Sequence, residues 1–570
     1  MAATREALKN RLKTQLEFVY GEHADAAFHR LSALLEQYSH RLEPRLRTAW
    51  SEKDAMLITY ADSLIGTRPS LPVLHEFLRQ HFSSTLSFVH LLPFFPYSSD
   101  DGFSVIDYRM VREDLGNWSD VEALSRDFHP VFDAIINHVS AESHYLKAYL
   151  AGDPEYDDFF IALPPDTDVS AVVRPRNLPL LHDFASVAGK KWLWTTFSRD
   201  QVDFNFANPA VLLEILDILL FYAVCGATMI RLDAVPFMWK RLGTSCSHLS
   251  ENHAIVKIIR AVFDLVAPQV LLLSETNVPH QENIAYFGNG DDEAQMIYNF
   301  SLAPLILWSA LQENAVDLSC WATGVRKIGP SVTFLNITAT HDGIGLRPTE
   351  GILSDADRKK LCVLIKERGG EVSMKRNPDG SLSPYELNIS YFNAVNPPDC
   401  DEDSAIRRFM LTQTVPMSFI GIPGIYIHSL LGSQNWIDGV KQTGRFRSIN
   451  RECLDVVAVE HELADSSSRR ARIATEFRRR LAIRATIPAF HPDIPQEVLQ
   501  LDPRLFVLRR CGTDDRNEII AIHNFSGKAI TCDISAWGKE FRQDLLDGGR
   551  HNPASVAVPP WAALWLTSET

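Results

Sequence analysis

The chain has 570 residues, 46% hydrophobic and 22% charged, the composition of a soluble globular protein large enough for a main domain with satellites. A formal net charge of -15 argues against a nucleic-acid partner, because gripping a phosphate backbone takes a concentrated basic surface. Eight scattered cysteines without a Cys-x-x-Cys pair argue against structural zinc and a disulfide scaffold, and make a reducing cytoplasm the expected setting.

Leu8, Leu12, Leu16 and Val19 recur at helical spacing, as do Ala27, Leu31, Leu34 and Tyr38, so two amphipathic helices are expected before the main domain, with 1–50 as an N-terminal extension. Arg5, Lys9, Arg11 and Lys13 are not followed by an apolar run, so a secretory leader is not expected. Strands are predicted at 56–60 and 88–92, with a helix between them, then at 131–138, 228–234, 270–275, 296–300, 332–337 and 422–427. Eight strands separated by helices predict a (β/α)8 barrel built from 51–138, 205–342 and 399–488. The apolar stretch 211–230 is broken by Glu214 and Asp217 and does not read as a membrane span.

The intervals 139–204 and 343–398 are too long for ordinary connections and are read as inserted domains after strands 3 and 7, on the face where barrels keep their sites. Short strand-like runs over 489–570 predict a small antiparallel β domain with a packing role. Before it, Arg469, Arg470, Arg472 and Arg478 to Arg480 alternate with Ile473, Phe477 and Leu481 at helical spacing, which predicts a solvated helix face.

Arg231 and Asp233 point to one side of the fourth strand, and an ion pair closing the strand end explains that pattern as readily as catalysis. Glu275 and Asp342 end the fifth and seventh strands, with His138 and His341 nearby. Barrel strand ends converge, so the three carboxylates would crowd one pocket and their proton affinities would be driven apart, an arrangement suited to glycosyl transfer. A metal site is the competing reading, weakened because no ligand pair has close helical spacing.

The runs Asp133 to His138, Arg231-Leu232-Asp233-Ala234, Ser274-Glu275 and Thr340-His341-Asp342 resemble, in order, the four motifs of the α-amylase family of glycoside hydrolases. Asp203, in Gln201-Val202-Asp203-Phe204-Asn205, is similar to a further motif of that family. The resemblance implies that Asp233 is the nucleophile, Glu275 the general acid/base and Asp342 the transition-state stabiliser, with Arg231 orienting Asp233 and both histidines bonding the sugar. It departs from the starch-cleaving pattern at Val235-Pro236-Phe237-Met238, which replaces a lysine-histidine pair and counts against a long glucan.

Leu91 to Phe95, Asp100-Asp101-Gly102-Phe103, Gly243 to Cys246, His341-Asp342-Gly343-Ile344-Gly345 and Arg447 to Arg451 resemble the sucrose phosphorylase branch. The likeness implies a blocked pocket in which Asp100, Phe103 and Arg447 bind one glucosyl unit, and a loop Arg174-Pro175-Arg176 in which Arg176 contacts phosphate. Without the likeness, a solvated turn is the plainer reading of that loop. Physics supplies a reason to want an arginine, since like unit charges about 4 Å apart cost about 4 kcal/mol at an effective dielectric of 20 and phosphate must enter beside carboxylates.

Glu275-Thr276-Asn277-Val278-Pro279-His280, Val235 to Lys240 and Pro384-Tyr385-Glu386-Leu387-Asn388 look most like the glucosylglycerate phosphorylases. That implies acceptor contacts from Asn277 and His280, although a loop histidine is more often structural. The expected reaction is reversible phosphorolysis of 2-O-α-D-glucosyl-D-glycerate with retention, phosphate as co-substrate, no other cofactor and no metal. Sucrose, sucrose 6'-phosphate or glucosylglycerol phosphorolysis, hydrolysis or transglucosylation on the same scaffold, and a non-catalytic binding subunit are the alternatives. A homo-oligomer is left open by the sequence.

Overall fold

In the computed structural model, eight parallel strands close into a barrel in chain order, so that each strand pairs with its sequence neighbours. They are β1 Met56–Thr59, β2 Phe88–Leu91, β3 His129–Ile135, β4 Met229–Asp233, β5 Leu271–Ser274, β6 Met296–Tyr298, β7 Thr333–Ile337 and β8 Ile422–Tyr426. The structure describes residues 2–42, 50–176, 178–329, 331–377, 381–512, 518–538 and 541–568. Except for His129 at the start of β3, every barrel-strand residue is buried, the signature of strands covered by helices outside and by packed side chains inside.

The third strand ends earlier than the predicted 131–138. The chain leaves the barrel after Ile135, and His138–Ser140 instead pairs antiparallel with Gln201–Asp203, placing Asp203 directly opposite His138. The two ends of the first insertion are thereby zipped together at the barrel mouth. Within it, Leu181–Ser186 and Gly189–Trp194 form an antiparallel hairpin. The second insertion starts as an edge strand, Ile344–Gly345, of a three-stranded sheet with Leu382–Asn388 and Glu371–Arg376, so its first residues follow Asp342 without a break.

The two expected N-terminal helices are α1 Ala2–Tyr20 and α2 Ala24–Ser39. They lie against the barrel helices α3 Pro209–Val224 and α4 Ser250–Val266 and bury Leu12, Leu16, Leu31 and Tyr38. The Tyr20 hydroxyl donates to the Phe206 carbonyl at 3.1 Å and the Tyr38 hydroxyl to Asp217 Oδ1 at 2.8 Å. At the other end of the chain, five antiparallel strands run in the spatial order Gln496–Leu499, Leu505–Cys511, Glu518–Asn524, Ala563–Ser568 and Phe541–Asp544. Trp565 ties this sheet to the barrel by donating to Ser418 Oγ at 2.9 Å.

The arginine-rich segment forms α5 Arg469–Arg484, and its solvated-face reading is corrected. Arg472 is at the surface with Asp403, but Arg470 is only 8% exposed and bonds Glu462 Oε2 at 2.8 Å and the Leu431 carbonyl at 3.1 Å. The long stems cover apolar surface while their heads find carbonyls and carboxylates. Arg484, 1% exposed, donates to the carbonyls of Met417 at 3.0 Å, Asp54 at 3.1 Å, and Gly421 and Phe490 at 3.2 Å each, pinning the segments that lead into β1 and β8.

Arg484→Met keeps the stem and strands these carbonyls. Because each buried unsatisfied group costs about 1–3 kcal/mol, a loss of more than about 3 kcal/mol is expected from the shift of the urea midpoint. A loss below about 0.5 kcal/mol would show that the bonds do not anchor the barrel.

Candidate active site

The floor of the site is a buried line of charge across three neighbouring strands. Arg231 of β4 stands level with Asp133 of β3, and the register sets the two side chains facing each other as an ion pair. The same guanidinium donates from Nη1 to Asp233 Oδ1 at 3.0 Å. Asp133 also bonds His90 Nε2 of β2 at 2.8 Å, and both residues are fully buried. Burial opposes the charge on Arg231, but Asp133 and Asp233 hold it protonated. After Asp233 the chain turns sharply through Ala234, which takes the left-handed conformation at φ 57°.

Asp233, Glu275 and Asp342 line one cleft of about 770 Å³, mouth included, at the C-terminal ends of β4, β5 and β7. Their environments differ. Asp342 accepts from Arg447 Nη1 at 2.5 Å and Arg451 Nη2 at 3.3 Å. Burial works against its ionisation, yet Arg447 and Arg451 hold it well below the usual carboxylate range. Glu275 is raised by burial, and Asp342 adds to the rise while Arg231 opposes it. Asp233 is pushed up to about 8, first by burial and then by Glu275, Asp133 and Asp342, against the pull of Arg231. The Asp233/Glu275 pair therefore keeps one proton at neutral pH. Arg231 opposes the rise at both carboxyls, and is hydrogen-bonded to Asp233.

The rest of the cleft wall is held by ion pairs between separate parts of the chain. Asp100, at φ 56°, accepts from Arg176 Nη2 at 2.7 Å and Gln201 Nε2 at 3.1 Å. Arg447 bonds Asp342 and also forks onto Glu386 of the second insertion, Nε to Oε1 at 2.9 Å and Nη2 to Oε2 at 2.6 Å. Glu386 Oε1 also accepts from the Gly343 N–H at 2.8 Å. A Cβ at Gly343 would lie 2.4 Å from Glu386 Cγ, so only glycine lets the chain after Asp342 reach this carboxylate. The Phe103 ring stacks on His341 at 4.9 Å, 1° from parallel. Burial pushes His341 down to about 3 and lowers His138, so both are neutral hydrogen-bond partners. Asp203 lies behind His138, bonded to Asn137 Nδ2 at 3.0 Å and to Lys240 Nζ at 2.6 Å.

Of the residues singled out from the sequence, Asp100, Phe103, His138, Arg176, Asp233, Glu275, Asn277, His341, Asp342 and Arg447 line this cleft, with Arg231 beneath it. His280 does not line it. Its ring packs against Trp321 at 5.7 Å and Phe334 at 6.5 Å, and the acceptor contact expected of it is corrected to a packing role. Sequence reasoning gave no role to His90, Asp133, Glu386, Arg451 or Arg347. His90 and Asp133 could have been found as polar residues inside apolar strand runs, and Arg347 as a basic residue five positions beyond Asp342. Among the described residues, the side chains close enough to share a metal ion are Asp544, Asp547 and His551 of the C-terminal domain.

The "Alpha amylase, catalytic domain" family matches residues 85–327. The chain is 46% identical over 532 residues to the glucosylglycerate phosphorylase of Spirochaeta thermophila, covering 92% of this chain and 90% of that one. It is 39% identical over 575 residues to the glucosylglycerate phosphorylase of Escherichia coli, covering 98% and 100%. The crystal structure of sucrose 6F-phosphate phosphorylase from Thermoanaerobacter thermosaccharolyticum superposes with a TM-score of 0.73 at 23% identity, over 89% of this chain and 98% of that one.

A cleft that works with one proton on the Asp233/Glu275 pair loses activity when that proton leaves. With Asp233 raised to about 8, kcat/KM for a glycosidic substrate is expected to fall along an alkaline limb near pH 8. A profile flat to pH 10 would sink the shared-proton assignment.

Proposed function

This chain belongs to the α-amylase family, in its sucrose phosphorylase-like branch, and from that membership we propose that it is a retaining phosphorylase of 2-O-α-D-glucosyl-D-glycerate. What carries the substrate is the 39–46% identity to glucosylglycerate phosphorylases over at least nine-tenths of their length. What supports the chemistry is one cleft lined both by Asp233, bonded to Arg231, and by Glu275, whose carboxyl is raised above its ordinary range by burial.

A carboxylate oxygen of Asp233 bonds to the anomeric carbon as the bond from that carbon to the glycerate oxygen breaks. Glu275 gives its proton to the departing oxygen. Phosphate then takes the acceptor place on the same face. One of its oxygens bonds to the anomeric carbon, the ester to Asp233 breaks, and Glu275 takes the phosphate proton. The product is α-glucose 1-phosphate, and two inversions give retention. Asp342, ionised by Arg447 and Arg451, holds sugar hydroxyls as positive charge builds on the ring; Asp100, Phe103, His138 and His341 enclose the glucosyl unit. Arg176 takes phosphate after releasing Asp100. The scheme needs no cofactor beyond phosphate. Among the described residues no cysteines are joined in a disulfide, which fits a cytoplasmic enzyme, and no helix is long and apolar enough to cross a membrane.

Supplied with α-glucose 1-phosphate, the enzyme should release phosphate fastest with D-glycerate, ahead of glycerol, fructose and fructose 6-phosphate. Release no faster than with water alone would overturn the phosphorylase reading, and a clear preference for fructose the glycerate reading. Glu275→Gln should lower kcat by about 10²–10⁴-fold on the glycoside. It should lose far less on α-glucosyl fluoride, whose leaving group needs no proton, and equal losses on both donors would remove Glu275 from the acid role.

A further inference from the structure

The proposed reaction brings an anion into the cleft in each direction, phosphate in one and the carboxylate of glycerate in the other. A cleft already holding Asp233, Glu275 and Asp342 repels both. Three arginines line it, and two of them are committed. Arg176 is paired with Asp100 at 2.7 Å, and Arg447 with both Asp342 and Glu386. The third, Arg347, has no ion pair or side-chain hydrogen bond among the described residues, and its Nε is shut off from solvent without a partner. Glu350, the nearest carboxylate in sequence, is taken by Lys375 at 3.3 Å. A buried Nε–H without a partner is costly to fold around, and an anion binding at the guanidinium would satisfy it.

Position selects between the two anions. Arg347 opens the turn Arg347–Thr349, immediately after the edge strand Ile344–Gly345, and the backbone bond from Leu346 N–H to the Tyr385 carbonyl at 2.9 Å fixes where it stands. Its charge is felt by His248, which burial and then Arg347 push down to about 4. His248 is tied by its N–H to the Pro236 carbonyl at 3.0 Å, so Arg347 faces the cleft from the side built by the loops after β4 and β5. Asp100 and Arg447 form the glucosyl end with Asp342. A second orphan lies on the Arg347 side. Asn277 Oδ1 is buried without a hydrogen-bond partner and sits where a Cβ on Gly345 would be only 2.4 Å away. Two unsatisfied polar groups of opposite character thus line the same cleft.

We propose that Arg347 binds the carboxylate of glycerate and so sets the preference for an anionic over a neutral acceptor, with Asn277 receiving a hydroxyl of the same molecule. The assignment rests on the phosphorylase reading of the site and adds to it the residue that discriminates glycerate from glycerol, which has no carboxylate. Arg176, across the cleft, is left to phosphate.

The test runs α-glucose 1-phosphate against D-glycerate and against glycerol, and phosphorolysis against varied phosphate, for the wild type, Arg347→Gln and Arg347→Lys. Arg347→Gln should raise the glycerate KM at least about tenfold, as loss of a charge-assisted hydrogen bond implies, with a smaller fall in kcat, and should lower the glycerate-to-glycerol ratio of kcat/KM by a similar factor. Arg347→Lys should recover part of the glycerate KM. Equal losses with glycerate and glycerol would mean a structural role, and a raised phosphate KM with an unaltered glycerate KM would give the arginine to phosphate. Either result overturns the assignment while leaving the phosphorylase reading intact. That reading fails separately, in the wild type, if glycerate does not release phosphate.

Discussion

Everything in this cleft is arranged around the cost of keeping three carboxylates in one desolvated space. At about 4 Å and an effective dielectric of 20, one like-charge pair costs about 4 kcal/mol, so the set survives only if charge is removed or balanced. The protein does both. One proton stays on the Asp233/Glu275 pair, and arginines from different parts of the chain meet the remaining charge: Arg231 from inside the barrel, Arg447 and Arg451 from the segment after β8. Because Arg231 reaches Asp133 as well as Asp233, the charge state of Asp233 is coupled to a second buried carboxylate and through it to His90.

The same electrostatics explains why the insertions belong to the site rather than decorating it. A guanidinium shared between Asp342 and Glu386 fastens the second insertion to the seventh strand end, and the fork geometry fixes the plane in which Arg447 meets Asp342. That contact depends on Gly343, whose missing side chain lets Glu386 reach the backbone. The first insertion is fastened by the short ribbon that sets Asp203 opposite His138, by Lys240 on Asp203 and by the Asp100–Arg176 pair at the mouth. That pair joins the loop after β2 to the first insertion on the wall of the cleft.

The barrel was legible in the sequence because its strands are apolar, short and separated by helical spacing, and the carboxylates were legible because each ends such a strand. What stayed hidden is what register and long-range approach decide. The Asp133/Arg231 pairing is 98 residues apart in sequence and follows only from the parallel register of β3 and β4. The true end of β3 could not be read because residues 131–136 are apolar but for Asp133, and tertiary pairing to Gln201–Asp203 claims His138. The arginines of α5 show the same limit. Spacing identifies which face of a helix is apolar, but not that carbonyls of Asp54, Met417 and Gly421, from two distant segments, will receive Arg484 beside that of nearby Phe490. His280 misled for the opposite reason, since its nearness in sequence to Glu275 does not survive the turn that sends it against Trp321.

The segment after Asp233 shows how a site is narrowed without adding a contact to the reacting atoms. Ala234 turns the chain in the left-handed region, which places Pro236 and Phe237 on the cleft wall. Lys240 is drawn downward, its ammonium 2.6 Å from buried Asp203 and 2.9 Å from Asn137 Oδ1, so a cation that could have faced a sugar chain instead anchors the first insertion. With that cation spent below the floor and apolar side chains at the rim, the acceptor half offers little to a row of neutral hydroxyls. Among the described residues, Arg347 lines the cleft without an ion pair, and the small anionic acceptor we propose gains there what a second sugar would not.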